Sequence, residues 1–324
     1  MNKKILVTGG AGYIGSITVK QLLEKGFDVV VFDNLVNGHN TNVSCPLVVG
    51  DLTDKESLFK SLEGYEFDGV IHFAAYTLPG ESMQNPYKYF HANLQGGLNL
   101  LELMKKKNIP SIIFSSTCAL YGYPKHLPVS EDEEKKPESV YGESKLLFER
   151  ILDWYDTLYD IHHINLRYFN AAGAALDGSL GERHNPETHI IPLAIKAILE
   201  NRPFDLFGAD YPTPDGTCIR DYIHVEDLGR AHILALQKLQ QTKKSNSYNL
   251  GTGKGFSNRE ILSMIEKVSG KKITIEEKPR RTGDPAIIYA DNAKAKKELG
   301  WIPQHSDLET IVKTAYDWHS KHAK

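Results

Sequence analysis

The chain has 324 residues, a formal net charge of −3 (38 Lys+Arg against 41 Asp+Glu) and 41% hydrophobic residues. That balance of charge argues against a nucleic-acid or anionic-membrane surface, and no apolar run approaches the roughly 20 residues needed to cross a bilayer. Three widely spaced cysteines, Cys45, Cys118 and Cys218, read as reduced thiols of a cytoplasmic protein, not as a disulfide framework.

Lys3-Lys4 leads straight into a short apolar run at 5–7, which leaves no signal-peptide core. The run reads as a strand and breaks into Gly9-Gly10-Ala11-Gly12-Tyr13-Ile14-Gly15. A helical pattern follows, with Val19, Leu22 and Leu23 on one face. Glycine lets the backbone turn tightly and approach a pyrophosphate, and the helix N-terminus offers free N–H groups to that anion. Strand, glycine turn and helix together predict a dinucleotide site. A second strand at 29–32 ends in Asp33, placed to bind ribose hydroxyls and to repel a 2′-phosphate. Asn34-Leu35-Val36-Asn37 supplies no arginine, so NAD is favoured over NADP.

Further strands are predicted at 47–49, 70–73, 112–114 and 164–168, with helical stretches between them. The alternation predicts βαβ units and a doubly wound parallel sheet, with ligands beyond the strand C-terminal ends. Small or polar residues stand at those ends: Asp51, Ala74-Ala75, Ser115-Ser116-Thr117 and Asn170. The run Glu131-Asp132-Glu133-Glu134-Lys135-Lys136 reads as a solvated loop. Beyond it, Tyr141 and Lys145 lie at i and i+4 of a helix and share one face. A lysine cation and an oxidised nicotinamide would both favour the phenolate, fitting Tyr141 for work as a base. A hydroxyl at Thr117 could hydrogen-bond the reacting oxygen. After Asn170 the rhythm changes. Helices are predicted at 192–200, 225–239, 258–268 and 292–299, strands at 248–250 and 273–277, and a turn at 211–216. The division falls at 1–175 and 176–324, with a segment near 215–250 returning to the first unit. His162-His163 and His184/His189 have no partner carboxylate or cysteine pattern in the sequence, and no metal site is expected.

The motifs Gly9-Gly10-Ala11-Gly12-Tyr13-Ile14-Gly15, Asp33-Asn34-Leu35, Asp51-Leu52, His72-Phe73-Ala74-Ala75, Ser115-Ser116-Thr117, Tyr141-xxx-Lys145, Arg167-Tyr168-Phe169-Asn170 and Arg220-Asp221-Tyr222-Ile223-His224-Val225 occur in this order, out to Arg281-Thr282-Gly283-Asp284 and Asp291. They resemble those of the extended short-chain dehydrogenase/reductases, and within that family the UDP-sugar 4-epimerases. The resemblance implies a Rossmann-type sheet with a smaller α/β C-terminal substrate lobe. It implies epimerisation at C4 of a UDP-hexose (UDP-glucose/UDP-galactose) through a transient 4-keto sugar, with NAD tightly held. Tyr141 would be the base, Lys145 would hold the nicotinamide ribose, and Thr117 takes the place of the family's catalytic Ser/Thr. Contacts to the cofactor are implied at Gly9, Gly12, Tyr13, Ile14, Gly15, Asp33 and Asn34. Others fall at Asn37, Gly38, Asp51, Leu52, Phe73, Ala74, Ala75, Asn93, Ser115 and Phe169. For the UDP-sugar, Arg220 and Arg281 match diphosphate contacts, and Asp284 matches a contact to the nucleotide ribose or a neighbouring arginine. Asn170, Ile190 and Phe207 fall on the uridine part.

Three departures stand out. Thr77 replaces a lysine near the cofactor pyrophosphate, His189 stands where an asparagine often binds substrate, and Ile288 holds the position whose bulk decides whether an N-acetyl group fits, where an intermediate side chain leans towards unacetylated sugars. A related dehydratase would carry Asp-Glu where this chain has Cys118-Ala119. The motifs also leave open a net dehydrogenase, a non-catalytic NAD-dependent sensor, and an epimerase of N-acetylated or pentose UDP-sugars. The family's usual dimer would use helices at about 86–106 and 141–159, whose Tyr155, Leu158 and Tyr159 exceed what one core face needs.

Overall fold

Seven strands pair in parallel, and the central ones enter the sheet through apolar runs. The computed structural model describes residues 2–281 and 284–322, so Thr282 and Gly283 of the Arg-x-Gly-Asp motif lie outside the described residues. The first half runs β1 (Lys4–Thr8), α1 (Tyr13–Glu24), β2 (Asp28–Asp33), β3 (Leu47–Val49), α2 (Lys55–Ser61), β4 (Gly69–His72), α3 (Pro79–Gln84), α4 (Pro86–Phe90), α5 (Gly96–Lys106), β5 (Ser111–Thr117), α6 (Val140–Tyr159) and β6 (His162–Tyr168). There follow β7 (Asn170–Ala172), α7 (Ile190–Leu199), β8 (Phe204–Phe207), β9 (Ile219–Arg220), β10 (Tyr222–His224), α8 (Val225–Thr242) and β11 (Asn246–Leu250). The chain ends with β12 (Phe256–Ser257), α9 (Asn258–Ser269), β13 (Ile275–Lys278), β14 (Ile287–Ile288), α10 (Ala293–Leu299) and α11 (Leu308–His322).

The sheet order is β3-β2-β1-β4-β5-β6-β11, the doubly wound arrangement with its reversal at β1 and β4. Alternate residues feed opposite faces. Ile5, Val7, Val29, Val31 and Ile71 pack with Val19 and Leu22 of α1 and Leu228 and Leu236 of α8. Leu6, Val30, Phe32, Val70 and Phe114 pack with Leu58, Leu100, Met104, Phe148 and Leu152 on the other side. Burial on both faces explains why these strands read as unbroken apolar runs.

A second core joins α7, α9 and α11 through Ile195, Ile198, Ile261, Ile265, Ile311 and Val312, beside the β8–β13 pair. Within segment 215–250, α8 covers the sheet and β11 extends it beside β6. Residues 293–301 join the same core through Ala295, Leu299 and Trp301. Trp301 is fully buried, and its indole donates to the Asp227 carbonyl at 2.9 Å. Asp227, itself fully buried, accepts from Gln304 N, His305 N and Ser306 Oγ at 2.7–2.8 Å.

The structure differs from the sequence expectations in four places. Helix α7 starts at Ile190, two residues before the predicted 192, and α11 was not anticipated although Leu308, Ile311, Val312, Ala315 and Trp318 have helical spacing. The 131–136 run is not wholly solvated: Glu131 accepts from Asn249 N at 2.8 Å, and buried Glu133 accepts from Lys125 N at 2.9 Å. The histidines do have acid partners: His162 Nδ1 lies 2.6 Å from Asp156, and His163 Nε2 lies 3.3 Å from Asp153. Trp301→Ala should cost about 3–5 kcal/mol by loss of contact and residual cavity, read as a lower midpoint in chemical denaturation.

Candidate active site

The sheet's C-terminal edge opens into a cleft of about 440 Å³, within the size range of small-molecule and cofactor sites. The β1–α1 turn forms its floor. Gly9 has φ +71°, and a Cβ there would lie 2.6 Å from Ala74 N; one at Gly15 would lie 2.2 Å from the Gly9 carbonyl. No side chain caps α1 at Gly12, so its first-turn N–H groups remain available to an anion. Gly9, Gly12, Tyr13, Ile14 and Gly15 all line the cleft. A glycine cradle below an uncapped helix fits a pyrophosphate.

Asp33, at the end of β2, is held by two backbone donors: Ala11 N at 3.0 Å on Oδ2 and Leu35 N at 2.8 Å on Oδ1. These bonds fix a buried carboxylate against the cleft wall, where ribose hydroxyls can meet its remaining lone pairs. Asn34, Asn37, Gly38, Asp51 and Leu52 line the same end. Although partial burial raises its pKa, hydrogen bonds from Thr53 and Asn34 keep the Asp51 carboxyl below its usual range. Phe73, Ala74, Ala75, Thr77, Ser115 and Phe169 line the middle.

Two of the residues expected at the cofactor are buried beside the cleft. Asn93 bridges the Tyr76 backbone (2.9 and 3.1 Å) to Ser144 Oγ (3.0 Å), fastening the loop after β4 to α6. Lys145 is 3% exposed and donates from Nζ to the Ser115 carbonyl at 2.8 Å. Burial pulls its pKa down to about 7, opposed by Glu149.

Tyr141 and Thr117 line the cleft together. Burial raises the Tyr141 phenol well above its ordinary pKa, the Tyr168 phenol adds to the rise, and the Thr117 hydroxyl opposes it. Thr117 Oγ1 also accepts from Ala119 N at 3.1 Å, capping the turn after β5. Ser116 faces away and donates to Glu149 Oε1 at 2.6 Å. Tyr168 was not singled out in the sequence, yet it lines the cleft and its phenol meets Ser115 Oγ. Strand alternation was the available signal, since Tyr168 is the last residue of β6.

A second cavity of about 170 Å³ adjoins the cleft, sharing Asn170, Ala171, Glu182 and His189 with it. Ile190, Arg220, Arg281 and Asp284 line this cavity, as do the unanticipated Thr188, Tyr222 and Asn258. Arg220 donates from Nη1 to the Ile219 carbonyl at 2.9 Å. Its buried Nη2 has no hydrogen-bond partner among the described residues, with Asp284 Oδ1 3.6 Å away. An unspent guanidinium N–H at a cavity wall suits an anionic ligand. Arg281 lies over the Phe207 ring at 4.2 Å. Phe207 lines neither cavity, and Ile288 is buried among Leu120, Tyr121, Val129 and Phe169 instead of facing either one. His184 and His189 meet Glu182 and Glu187 in this wall, correcting the reading that they lack carboxylate partners.

Residues 5–251 match the model of the NAD dependent epimerase/dehydratase family. The UDP-glucose 4-epimerase of Lacticaseibacillus casei is 48% identical over 321 residues, covering 98% of this chain and 97% of that protein. The structure of UDP-glucose 4-epimerase from Brucella ovis in complex with NAD superposes with a TM-score of 0.94 at 45% identity, covering 97% of each chain. That of UDP-glucose 4-epimerase from Bifidobacterium longum in complex with NAD+ and UDP does so with a TM-score of 0.93 at 37% identity over 99% of each.

A lysine whose folded pKa lies below its unfolded one destabilises the fold; the penalty is full below the folded value and vanishes as pH rises through the unfolded value. With Lys145 lowered from 10.5 to about 7, Lys145→Met should stabilise the ligand-free protein at pH 7. The gain is on the order of 2 kcal/mol, net of the unpaired Ser115 carbonyl. Thermal melts should show that gain shrinking towards pH 10.

Proposed function

The chain belongs to the NAD dependent epimerase/dehydratase family, and from that footing we propose that it interconverts UDP-glucose and UDP-galactose at C4, with NAD held throughout the cycle. One observation carries the reading. Tyr141 and Thr117 stand in a cleft with a glycine cradle at one end and, at the other, a cavity walled by an arginine with a free buried N–H. Relatives named for this activity, 48% identical along nearly the whole chain, support the same substrate pair.

The chemistry that NAD supplies when bound is a reversible two-electron exchange with the sugar's C4. The residues do the rest. The Gly9–Gly15 turn and the α1 N-terminus take the pyrophosphate, and Asp33 takes a ribose diol. Asn34, Asn37, Gly38, Asp51 and Leu52 enclose that end, with Phe73, Ala74, Ala75, Ser115 and Phe169 along the cleft. Asn93 serves by fixing the Tyr76 loop. Lys145 holds the nicotinamide ribose, and Thr77, with no charge, leaves the pyrophosphate to backbone donors. Tyr141 Oη takes the proton of the 4-hydroxyl and gives it back when the sugar has turned over. Burial holds this phenol protonated, so its work as a base requires a positive charge beside it, from Lys145 and the oxidised ring. Thr117 Oγ1 hydrogen-bonds the reacting oxygen.

Arg220 and Arg281 clamp the UDP diphosphate while Asp284 orients them. Asn170, His189 and Ile190 frame the uridine side, and Phe207 acts there through Arg281, which lies over its ring. The 4-keto sugar is then free to swing about its diphosphate link and present its other face. Ile288 shares a core cluster with the cleft-lining Phe169, and through that neighbour it favours unacetylated sugars. The free state of Cys45, Cys118 and Cys218 accords with a cytoplasmic enzyme. No helix among the described residues is long and apolar enough to cross a membrane.

A homodimer is part of the same proposal. Trp154, Leu158 and Tyr159 of α6 are 65%, 62% and 42% exposed, and Tyr87 of α4 is 75% exposed. Large apolar side chains grouped on neighbouring helices mark association surfaces.

Purified protein should convert UDP-glucose to UDP-galactose without releasing stoichiometric NADH; net NADH release would overturn the reading. Tyr141→Phe should lower kcat by about 10²–10⁴ with little change in nucleotide-sugar affinity, while Thr117→Val should lower it by about 10²–10³; a fully active Tyr141→Phe variant removes the base. Light scattering at micromolar concentration should return twice the chain mass, and a Trp154→Glu variant should return one.

A further inference from the structure

The loop between β7 and α7 gathers Glu182, His184, Glu187 and His189 so that one ligating atom of each lies within 4.8 Å of the others. The two carboxylates are 5% and 3% exposed, and both imidazoles turn Nδ1 towards Glu182 Oε1. Glu187 Oε1 accepts from Thr188 N at 2.7 Å and His189 N at 3.0 Å. Glu187 Oε2, buried, has no hydrogen-bond partner among the described residues and lies 3.9 Å from His184 Nδ1. A bare buried carboxylate oxygen is unfavourable unless something positive meets it.

Charge balance narrows the choice. Among the described residues, the only salt-bridge partners of either carboxylate are these two histidines. Two buried negative charges therefore need two imidazolium ions or one divalent cation between neutral imidazoles. Two imidazolium donors would share themselves between the oxygens, yet both make their shortest contact to one oxygen of Glu182, His189 comes only to 3.5 Å from Glu187 Oε1, and Glu187 Oε2 has no hydrogen-bond partner among the described residues. An ion at the centre reaches all four atoms.

We propose that Glu182, His184, Glu187 and His189 bind one divalent transition-metal ion of the zinc or manganese class. Imidazole nitrogen with carboxylate oxygen is a suitable donor set for such ions. Bonds of about 2.0–2.2 Å would set tetrahedral ligand atoms about 3.3–3.5 Å apart, so the wider pairs within the 4.8 Å cluster would close while the His184 and His189 contacts to Glu182 Oε1, now 3.1 and 2.5 Å, would open. The cluster is braced from behind, where Trp318 Nε1 donates to the Glu182 carbonyl at 3.1 Å, and the Tyr13 ring meets His184 edge-on. Glu182 and His189 line both cavities, so the ion sits in their common wall. The half-exposed His189 leaves its cleft side open to water or an anionic oxygen.

The test is ion binding by chelator-stripped protein titrated with Zn2+, Mn2+ and Co2+ by calorimetry. It is read also as a thermal shift and as visible d–d absorption of the Co2+ form. Expected are one ion per chain with micromolar or tighter affinity for at least one metal, a raised Tm, and a loss of at least tenfold in affinity in His184→Gln/Glu187→Gln. No saturable binding by the wild type, or unchanged affinity in that variant, overturns the site. If circular dichroism shows the double variant unfolded, His184→Gln alone makes the same comparison. A UDP-glucose assay run in parallel keeps the two conclusions separate: turnover without ion binding removes only the metal site, and ion binding without turnover removes only the epimerase reading.

Discussion

Tyr141, Lys145 and Glu149 follow one another at four-residue spacing on α6 and share a face. Glu149 is the fastening. Its carboxylate accepts Ser116 Oγ from β5 at 2.6 Å and Arg167 from β6 at 2.9 and 2.6 Å. Arg167 passes the bond on to the Tyr121 phenol at 3.0 Å, and that phenol donates to Asn249 of β11 at 2.7 Å. Three strands are thereby registered against one helix. A buried ion pair adds little net stability, yet removing one partner leaves a lone buried charge at about 3–5 kcal/mol. What this pair enforces is position: α6 cannot rotate or slide without stranding Glu149, so Tyr141 stays over the strand ends.

The same alignment explains the electrostatics of the cleft. Lys145 reaches the sheet only by burying its ammonium beside the Ser115 carbonyl, and its pKa falls accordingly. Tyr141 is buried for the same reason, and its pKa rises. Both shifts disfavour the charged forms, which is the condition of a dry site before a ligand contributes charge.

Asp221 does for the second cavity what Glu149 does for α6. Fully buried, it accepts from Thr252 Oγ1 at 2.7 Å and from the backbone of Thr252, Gly253 and Ala290. A Cβ at Gly251 would come within 2.4 Å of its Oδ2, so the loop after β11 can close on the carboxylate only with glycine there. Arg220, the neighbouring residue, inherits a fixed backbone and one bond to its own strand, and its Nη2 has no hydrogen-bond partner among the described residues, with Asp284 3.6 Å away. The two anchoring carboxylates are structural, and the groups they position are the ones offered to ligands.

Much of this was legible in the sequence because it is local. Glycines at 9, 12 and 15, the acid at 33, the hydroxyls at 115–117 and the Tyr141–Lys145 pair each depend on a turn, a strand end or one helical face, and short-range periodicity fixes those. The tertiary structure alone decided the rest. Asn93 fastens the Tyr76 loop to α6, Ile288 packs into a core cluster, Phe207 lies under Arg281, Trp301 returns to the first core, and two glutamates meet two histidines beside the cleft. Those outcomes depend on which distant segments share space. A sequence records what each residue can bond to, and only the packed chain fixes which partner comes within reach.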